Sequence, residues 1–139
     1  MKEVKNNVAE IGNKVREVLS KFQEIEFAYC FGSMLKNDTF NDIDVALHVS
    51  VDFSPYERVK FSLLVGRELE KAIKPRYEFD VRVLNQSPLY FQYEVIKTGK
   101  IIFSRDKVKR VRHETQILSD YLDYRETSNW LDKEFLVRV

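Results

Sequence analysis

Three aspartates stand at spacings that suit a divalent cation. Asp42 and Asp44 flank Ile43 in the run DIDVALHV, and Asp80 lies in a later run, YEFDVRVLN. In a strand, residues two apart point the same way, roughly 6.5–7 Å from one another. Asp42 and Asp44 therefore share the face opposite Ile43, Val45 and Leu47. Asp80 and Arg82 alternate in the same way with Phe79, Val81 and Val83. If the two strands are neighbours, their apolar faces point to one core and all three carboxylates share the other face. Carboxylates that close repel one another, and at least one pKa rises unless a cation neutralises them. Hard oxygen donors suit Mg²⁺ or Mn²⁺ rather than zinc, and no cluster of cysteines and histidines competes. Mg²⁺ keeps open positions for phosphate oxygens, which points to phosphoryl or nucleotidyl transfer with two metals clamping the attacking and leaving oxygens.

Gly32-Ser33 stands just upstream. A strand that ends in Gly-Ser before a short helix exposes backbone N–H groups and a hydroxyl, the donors that hold phosphate oxygens. Gly32 allows a close backbone approach that a side chain would block. A lone Gly-Ser is a common turn. Followed by Asp-x-Asp on the next strand and a third aspartate on a later one, it is a much more specific pattern.

The elements that must position these residues are legible from periodicity. Val4, Val8, Ile11, Val15, Val18, Leu19 and Phe22 recur at steps of three and four, an amphipathic helix over roughly Lys2 to Gln23 within an N-terminal segment 1–24. Glu26 to Phe31 is a short run apolar on both faces, the pattern of a buried central strand. Ser54-Pro55 opens a second helix, whose stripe is Phe61, Leu64, Val65, Leu69 and Ile73, and Lys74-Pro75 ends it. Ser87-Pro88 opens a short helix that Thr98-Gly99 stops, and KIIFS is a last strand. A helical segment over 106–135 carries Val108, Val111, Ile117, Leu118, Tyr121, Leu122 and Tyr124 as apolar positions. The expected fold is α/β, a mixed sheet flanked by helices with a long C-terminal helix, forming one domain over 1–139.

Composition bounds the alternatives. The 139 residues are 44 % apolar and 13 % aromatic, which suits an ordered domain with one core. The 23 basic and 22 acidic residues nearly cancel, so no global field favours nucleic acid or an anionic membrane. Cys30 is the only cysteine, no apolar run approaches membrane-helix length and no signal peptide is present, so a cytoplasmic setting is expected.

Several residues have plainer readings. Arg82 could meet phosphate or acceptor, or pair with Asp80 or Glu78. His48 reads as an exposed or hydrogen-bonded histidine and His113 as a helix-surface residue. The basic run Arg105 to His113 reads as a solvated helix face with Val108 and Val111 on its buried side. Tyr90, Phe91, Tyr93, Tyr121, Tyr124 and Trp130 read as core and partner-surface aromatics, since no aromatics interleave with basic residues as single-strand binders require. Cys30 reads as a packing residue.

The run FGSMLKNDTFNDIDVALHV resembles the signature of the DNA polymerase β-type nucleotidyltransferase superfamily. The whole chain is similar to its minimal nucleotidyltransferases, the antitoxin partners of HEPN-domain toxins. The stretches EFDVRVLN, PLYFQYEVIKTGKIIFSRD and SDYLDYRETSN support that narrower likeness, which covers roughly Glu26 to Asn129. The loop between Ser33 and Asp42 is a little shorter than usual and lacks a glycine, with Asn37 nearest that place. The resemblance implies a polymerase β-like fold and transfer of AMP from ATP to a hydroxyl, a tyrosine of the HEPN toxin. It implies that Asp42 and Asp44 hold two Mg²⁺ ions, Mn²⁺ being an alternative. Asp80 would ligate the catalytic ion and draw the proton from the attacking hydroxyl, and Gly32 and Ser33 would grip the β- and γ-phosphates. The expected partners are the HEPN toxin and a nucleoside triphosphate, with neither nucleic acid nor membrane. Two other readings stand beside it: a weakly catalytic or non-catalytic antitoxin that acts by binding, and a small-molecule nucleotidyltransferase of the aminoglycoside type.

Overall fold

The computed structural model describes residues 2–32, 42–73 and 77–137. Each period-two run is a strand, and the strands meet in one sheet. Strand β1 (Ile25–Phe31) and strand β2 (Asp42–Val49) form its interior, with β3 (Glu78–Val83) and β4 (Lys100–Ser104) outside them in the order β3-β2-β1-β4. β1 runs antiparallel to both β2 and β4, whereas β2 and β3 are parallel. A parallel pair needs a long crossover, and helix α2 (Pro55–Ala72) supplies it. Ser54 caps that helix: its Oγ accepts from the Glu57 N–H, and the Glu57 carboxylate accepts from the Ser54 N–H.

One face of the sheet is the main core. Helix α1 (Lys2–Ser20) lays Ile11, Val15, Val18 and Leu19 against it, and α2 adds Val65, Leu69 and Ile73. The sheet answers with Ile43, Val45, Leu47, Val81 and Val83, the alternate positions that the period requires. A side chain as fully buried as Leu69 contributes about 2 kcal/mol of hydrophobic stabilisation. The second face is covered by α3 (Leu89–Thr98) and α4 (Lys107–Val137). There Phe27, Tyr29, Ala46, Leu84 and Val95 form a smaller cluster, with Phe31, Phe91 and Ile96 at its margin. Tyr93 of α3 stacks on Tyr121 of α4 at 3.8 Å.

Side chains complete the sheet where the ladder stops. Asn85 both accepts from the Val49 N–H (3.0 Å) and donates to the Val49 carbonyl (2.9 Å). Arg105 donates to the carbonyls of Ser20, Phe22 and Ile25, tying the end of β4 to the turn between α1 and β1.

The long C-terminal helix forms as expected, begun by Asp106, whose carboxylate accepts from the Val108 N–H. Its phase differs from the sequence reading. Val108 and Val111 are 59 % and 46 % exposed, and the inward side carries Arg110, His113, Glu114 and Ile117. The cause is the surface beneath, where Phe27, Tyr29 and His48 offer polar atoms as well as rings. Arg110 pairs with Glu114 at 2.9 Å, and Lys109 reaches Glu26 at 3.8 Å. Within the basic run Arg105 and Arg110 are engaged in the fold, while Lys107, Lys109 and Arg112 remain exposed as a solvated face would have them. His48 and His113 are half-buried rather than on the surface: His48 stacks on Phe27 at 4.3 Å and meets His113 edge-on at 4.4 Å. No helix among the described residues is long and apolar enough to cross a membrane.

Candidate active site

The parallel pairing of β2 with β3 places Asp42 opposite Glu78 and Asp44 opposite Asp80. The strands are neighbours, and Asp42, Asp44 and Asp80 lie on the face opposite Ile43, Val45 and Val81. Asp42 and Asp80 are exposed, while Asp44 is half-buried at the foot of the face. Burial raises the Asp44 pKa above the ordinary carboxylate range, the Asp80 and Asp42 charges raise it further, and Arg82 acts against them. Arg82 reaches Asp80 at 3.5 Å. Both side chains are more than half exposed, so the pair contributes little stability.

Gly32 closes the other side of Asp44. It follows Phe31, the register partner of Asp44, with φ at +81°. A Cβ at this position would collide with Asp44 Oδ2 and lie 3.1 Å from its Cγ. Two requirements therefore coincide at Gly32, a left-handed backbone and an empty space beside a carboxylate. Ser33, Asn37 and the rest of the loop through Asn41 lie outside the described residues, and with them the second half of the expected phosphate grip. Cys30 is buried beneath the site, and its thiol is pushed up to about 12 by burial first and by Asp44 second. That is an inert packing thiol.

The donor set can be tested against a metal on its chemistry. Every candidate ligand is a hard carboxylate oxygen, two of them in register across a parallel pair. The Asp44 carboxyl, raised by burial first and by the Asp80 charge second, would be stabilised in its ionised form by a nearby cation. Among the described residues, no three acidic, histidine or cysteine side chains converge into a finished cage. Asp80 is turned to Arg82 instead. The residues fit Mg²⁺ or Mn²⁺ in kind and in strand position.

The chain can be set beside known proteins on this geometry. The family model described as polymerase beta, nucleotidyltransferase matches residues 13–108, from α1 through β4 into the start of α4. The chain belongs to the polymerase β nucleotidyltransferase family. This nucleotidyltransferase matches no curated protein sequence. Among solved structures it is similar to a toxin–antitoxin complex with AMP-PNP, at 16 % identity and a TM-score of 0.68 over 90 % of this chain and 98 % of that one. A second similar structure is the MntA–HepT toxin–antitoxin complex, at 15 % identity and a TM-score of 0.66 over 92 % and 98 % of the two chains. A third is a tri-AMPylated Shewanella oneidensis HEPN toxin in complex with its MNT antitoxin, at 16 % identity and a TM-score of 0.67 over 92 % and 98 %. At such identities these likenesses establish the polymerase β-like fold of the nucleotidyltransferase.

Two features of the nucleotidyltransferase site escape sequence reasoning. Phe91 stands edge-on to Phe31 at 5.5 Å, and its ring lies 5.5 Å from the Arg82 guanidinium. Arg82 thus contacts the Phe91 ring as well as Asp80; the spacing of four between Phe91 and Val95 on α3 is the available signal. The other is the polar layer under α4, where Tyr29 lies against Glu114, and His48 Nδ1 and His113 Nε2 are buried without a hydrogen-bond partner among the described residues. Burial, followed by the Glu114 charge, raises the Tyr29 phenol further above its ordinary value.

Proposed function

We propose that the chain is a Mg²⁺-dependent nucleotidyltransferase that moves AMP from ATP to a tyrosine hydroxyl of a HEPN-domain toxin in the cytoplasm, and so acts as its antitoxin. The observation that carries this reading is the register pairing of Asp44 with Asp80, with Asp42 on the same face and Gly32 pressed against Asp44. Membership of the nucleotidyltransferase family and the fold shared with a tri-AMPylated toxin complex support it.

Asp42, Asp44 and Asp80 would hold the divalent ions. When bound, such ions screen the triphosphate charge and make the acceptor hydroxyl easier to deprotonate. Gly32 and Ser33 hold the β- and γ-phosphates through backbone N–H groups and the hydroxyl. The acceptor oxygen forms a bond to the α-phosphorus as the bond from that phosphorus to the bridging oxygen breaks. Pyrophosphate departs with the electron pair, and Asp80 receives the hydroxyl proton. Arg82, released from Asp80, remains close enough to meet phosphate charge.

The test is incubation of the chain with Mg²⁺, ATP and its cognate HEPN-domain protein, read by intact mass. An AMP adduct on the partner is expected, and none when binding is established would overturn the reading. The Asp80–Arg82 ion pair favours a second reading, in which the site is weak and the antitoxin acts by occlusion. An Asp42→Ala, Asp44→Ala double variant separates the two. Full protection by this variant would mean that binding suffices.

A further inference from the structure

Helix α4 carries apolar residues on two sides, and the chain itself covers only one of them. Ile117 is buried on the inner side, where Tyr121 stacks on Tyr93 of α3. The other side carries Val108, Val111, Leu118 and Leu122, which are 59 %, 46 %, 39 % and 51 % exposed. Thr115, also exposed, stands between Val111 and Leu118. These five positions advance by three, four, three and four residues, a heptad seam about 21 Å long. Thr115 does not bar its burial, because Oγ donates to the Val111 carbonyl at 2.8 Å. The hydroxyl is satisfied inside the helix, and the methyl group continues the stripe.

An apolar stripe with this period accepts another helix, side chains of each entering the gaps of the other. The charges beside it select that helix. Exposed Lys107, Lys109 and Arg112 occupy its first turns, while the exposed stretch 120–126 carries Asp120, Asp123 and Glu126 against Arg125 alone. The helix is thus basic at one end, acidic at the other, and complementary to itself when reversed. In a parallel pair, Lys107 of one copy would face Arg112 of the other. An antiparallel pair can set Val111 against Leu122 and Thr115 against Leu118. Arg112 of one copy then lies beside Glu126 of the other, and the two-fold axis makes that contact twice.

We infer that the chain forms an antiparallel homodimer through the outer side of α4. No residue of the seam belongs to the carboxylate site, so the inference is independent of the proposed transfer. A free-standing coiled coil sustains roughly three or four heptads. This shorter seam gives a dimer that dissociates on dilution into folded monomers.

The experiment is sedimentation equilibrium of the full chain alone over a dilution series. The native chain should show a monomer–dimer equilibrium. Leu122→Glu, at an exposed position, should stay monomeric throughout, with native helix content by circular dichroism. Arg112→Glu and Glu126→Arg should each weaken the dimer about tenfold, through two repelling contacts apiece. Arg112→Glu combined with Glu126→Arg should recover native association. The two positions are fourteen residues apart on one helix and cannot meet within a chain, so recovery reports a contact between copies. These surface variants carry the test should Leu122→Glu fail to fold. A chain monomeric at every concentration, a dimer that folded Leu122→Glu leaves intact, or a combined variant that recovers nothing would overturn the inference. So would a monomeric chain that loses its cognate HEPN-domain protein on Leu122→Glu, which would assign the seam to that partner.

Discussion

Asp44 and Asp80 are register partners across the parallel strands β2 and β3, and the Asp44 carboxyl is raised above its ordinary range by burial and by Asp80 itself. The fold thus holds two like charges side by side, with a third at Asp42, at a cost in stability that a bound cation would relieve.

Replacing one charge should separate stability from function. Asp44→Asn removes repulsion and a partly buried charge, so the metal-free variant is expected to melt no lower than the native chain, and by up to about 1 kcal/mol higher in stability. Mg²⁺ with ATP should raise the melting temperature of the native chain and leave that of the variant unchanged. Thermal melts with and without Mg²⁺-ATP check both statements.

Two glycines should respond in opposite directions to alanine. Gly32→Ala meets a left-handed backbone and the Asp44 carboxylate, and should cost about 1–3 kcal/mol as well as the nucleotide response. Gly12 lies inside α1 with open space where a Cβ would stand, so Gly12→Ala should stabilise by about 0.5–1 kcal/mol. Urea unfolding of the two variants measures the contrast.

The imidazole pair beneath α4 gives the fold an acid-sensitive layer. Burial first, then His113 and Lys109, lower His48 from 6.5 to about 4, and burial lowers His113 as well. Both groups fold as neutral imidazoles, while the unfolded chain takes up their protons near its ordinary pKa. Their contribution is therefore complete above about pH 6.5, declines as pH falls, and for His48 levels off near 4. Discounted for partial exposure, His48 accounts for about 1–3 kcal/mol over that window. His48→Phe keeps the stack on Phe27, removes the unpaired Nδ1, and should flatten the stability–pH profile measured by urea unfolding.

The phase of α4 can be read by paired truncations. Ile117 is buried and Leu118 is 39 % exposed. Ile117→Ala should cost about 2–4 kcal/mol and Leu118→Ala less than about 1 kcal/mol. Equal losses would contradict the observed orientation of the helix.

Much of the site was readable because strand alternation fixes which side chains share a face. Ile43, Val45 and Val81 are core, so Asp42, Asp44 and Asp80 had to lie opposite. Which strand lies beside which is a tertiary property. That Asp44 meets Asp80, while Asp42 meets Glu78, follows from the parallel register set by the α2 crossover. The phase of α4 was misread because its inner side is built of Arg110, His113 and Glu114, polar residues chosen to match Tyr29 and His48 below. Valines 108 and 111 look like a core stripe only until that surface is known. Arg105 was lost in a run of like charges, although its three carbonyl partners belong to the turn between α1 and β1.

The measurement that bears most directly on the proposed chemistry is the intact mass of the cognate HEPN-domain protein after incubation with this chain, Mg²⁺ and ATP. Native chain should add AMP to the partner, and the Asp42→Ala, Asp44→Ala variant should still bind the partner but add none. A partner that stays unmodified in a proven complex with the native chain, or one that the double variant modifies equally well, would contradict a carboxylate-held metal site at the junction of β2 and β3.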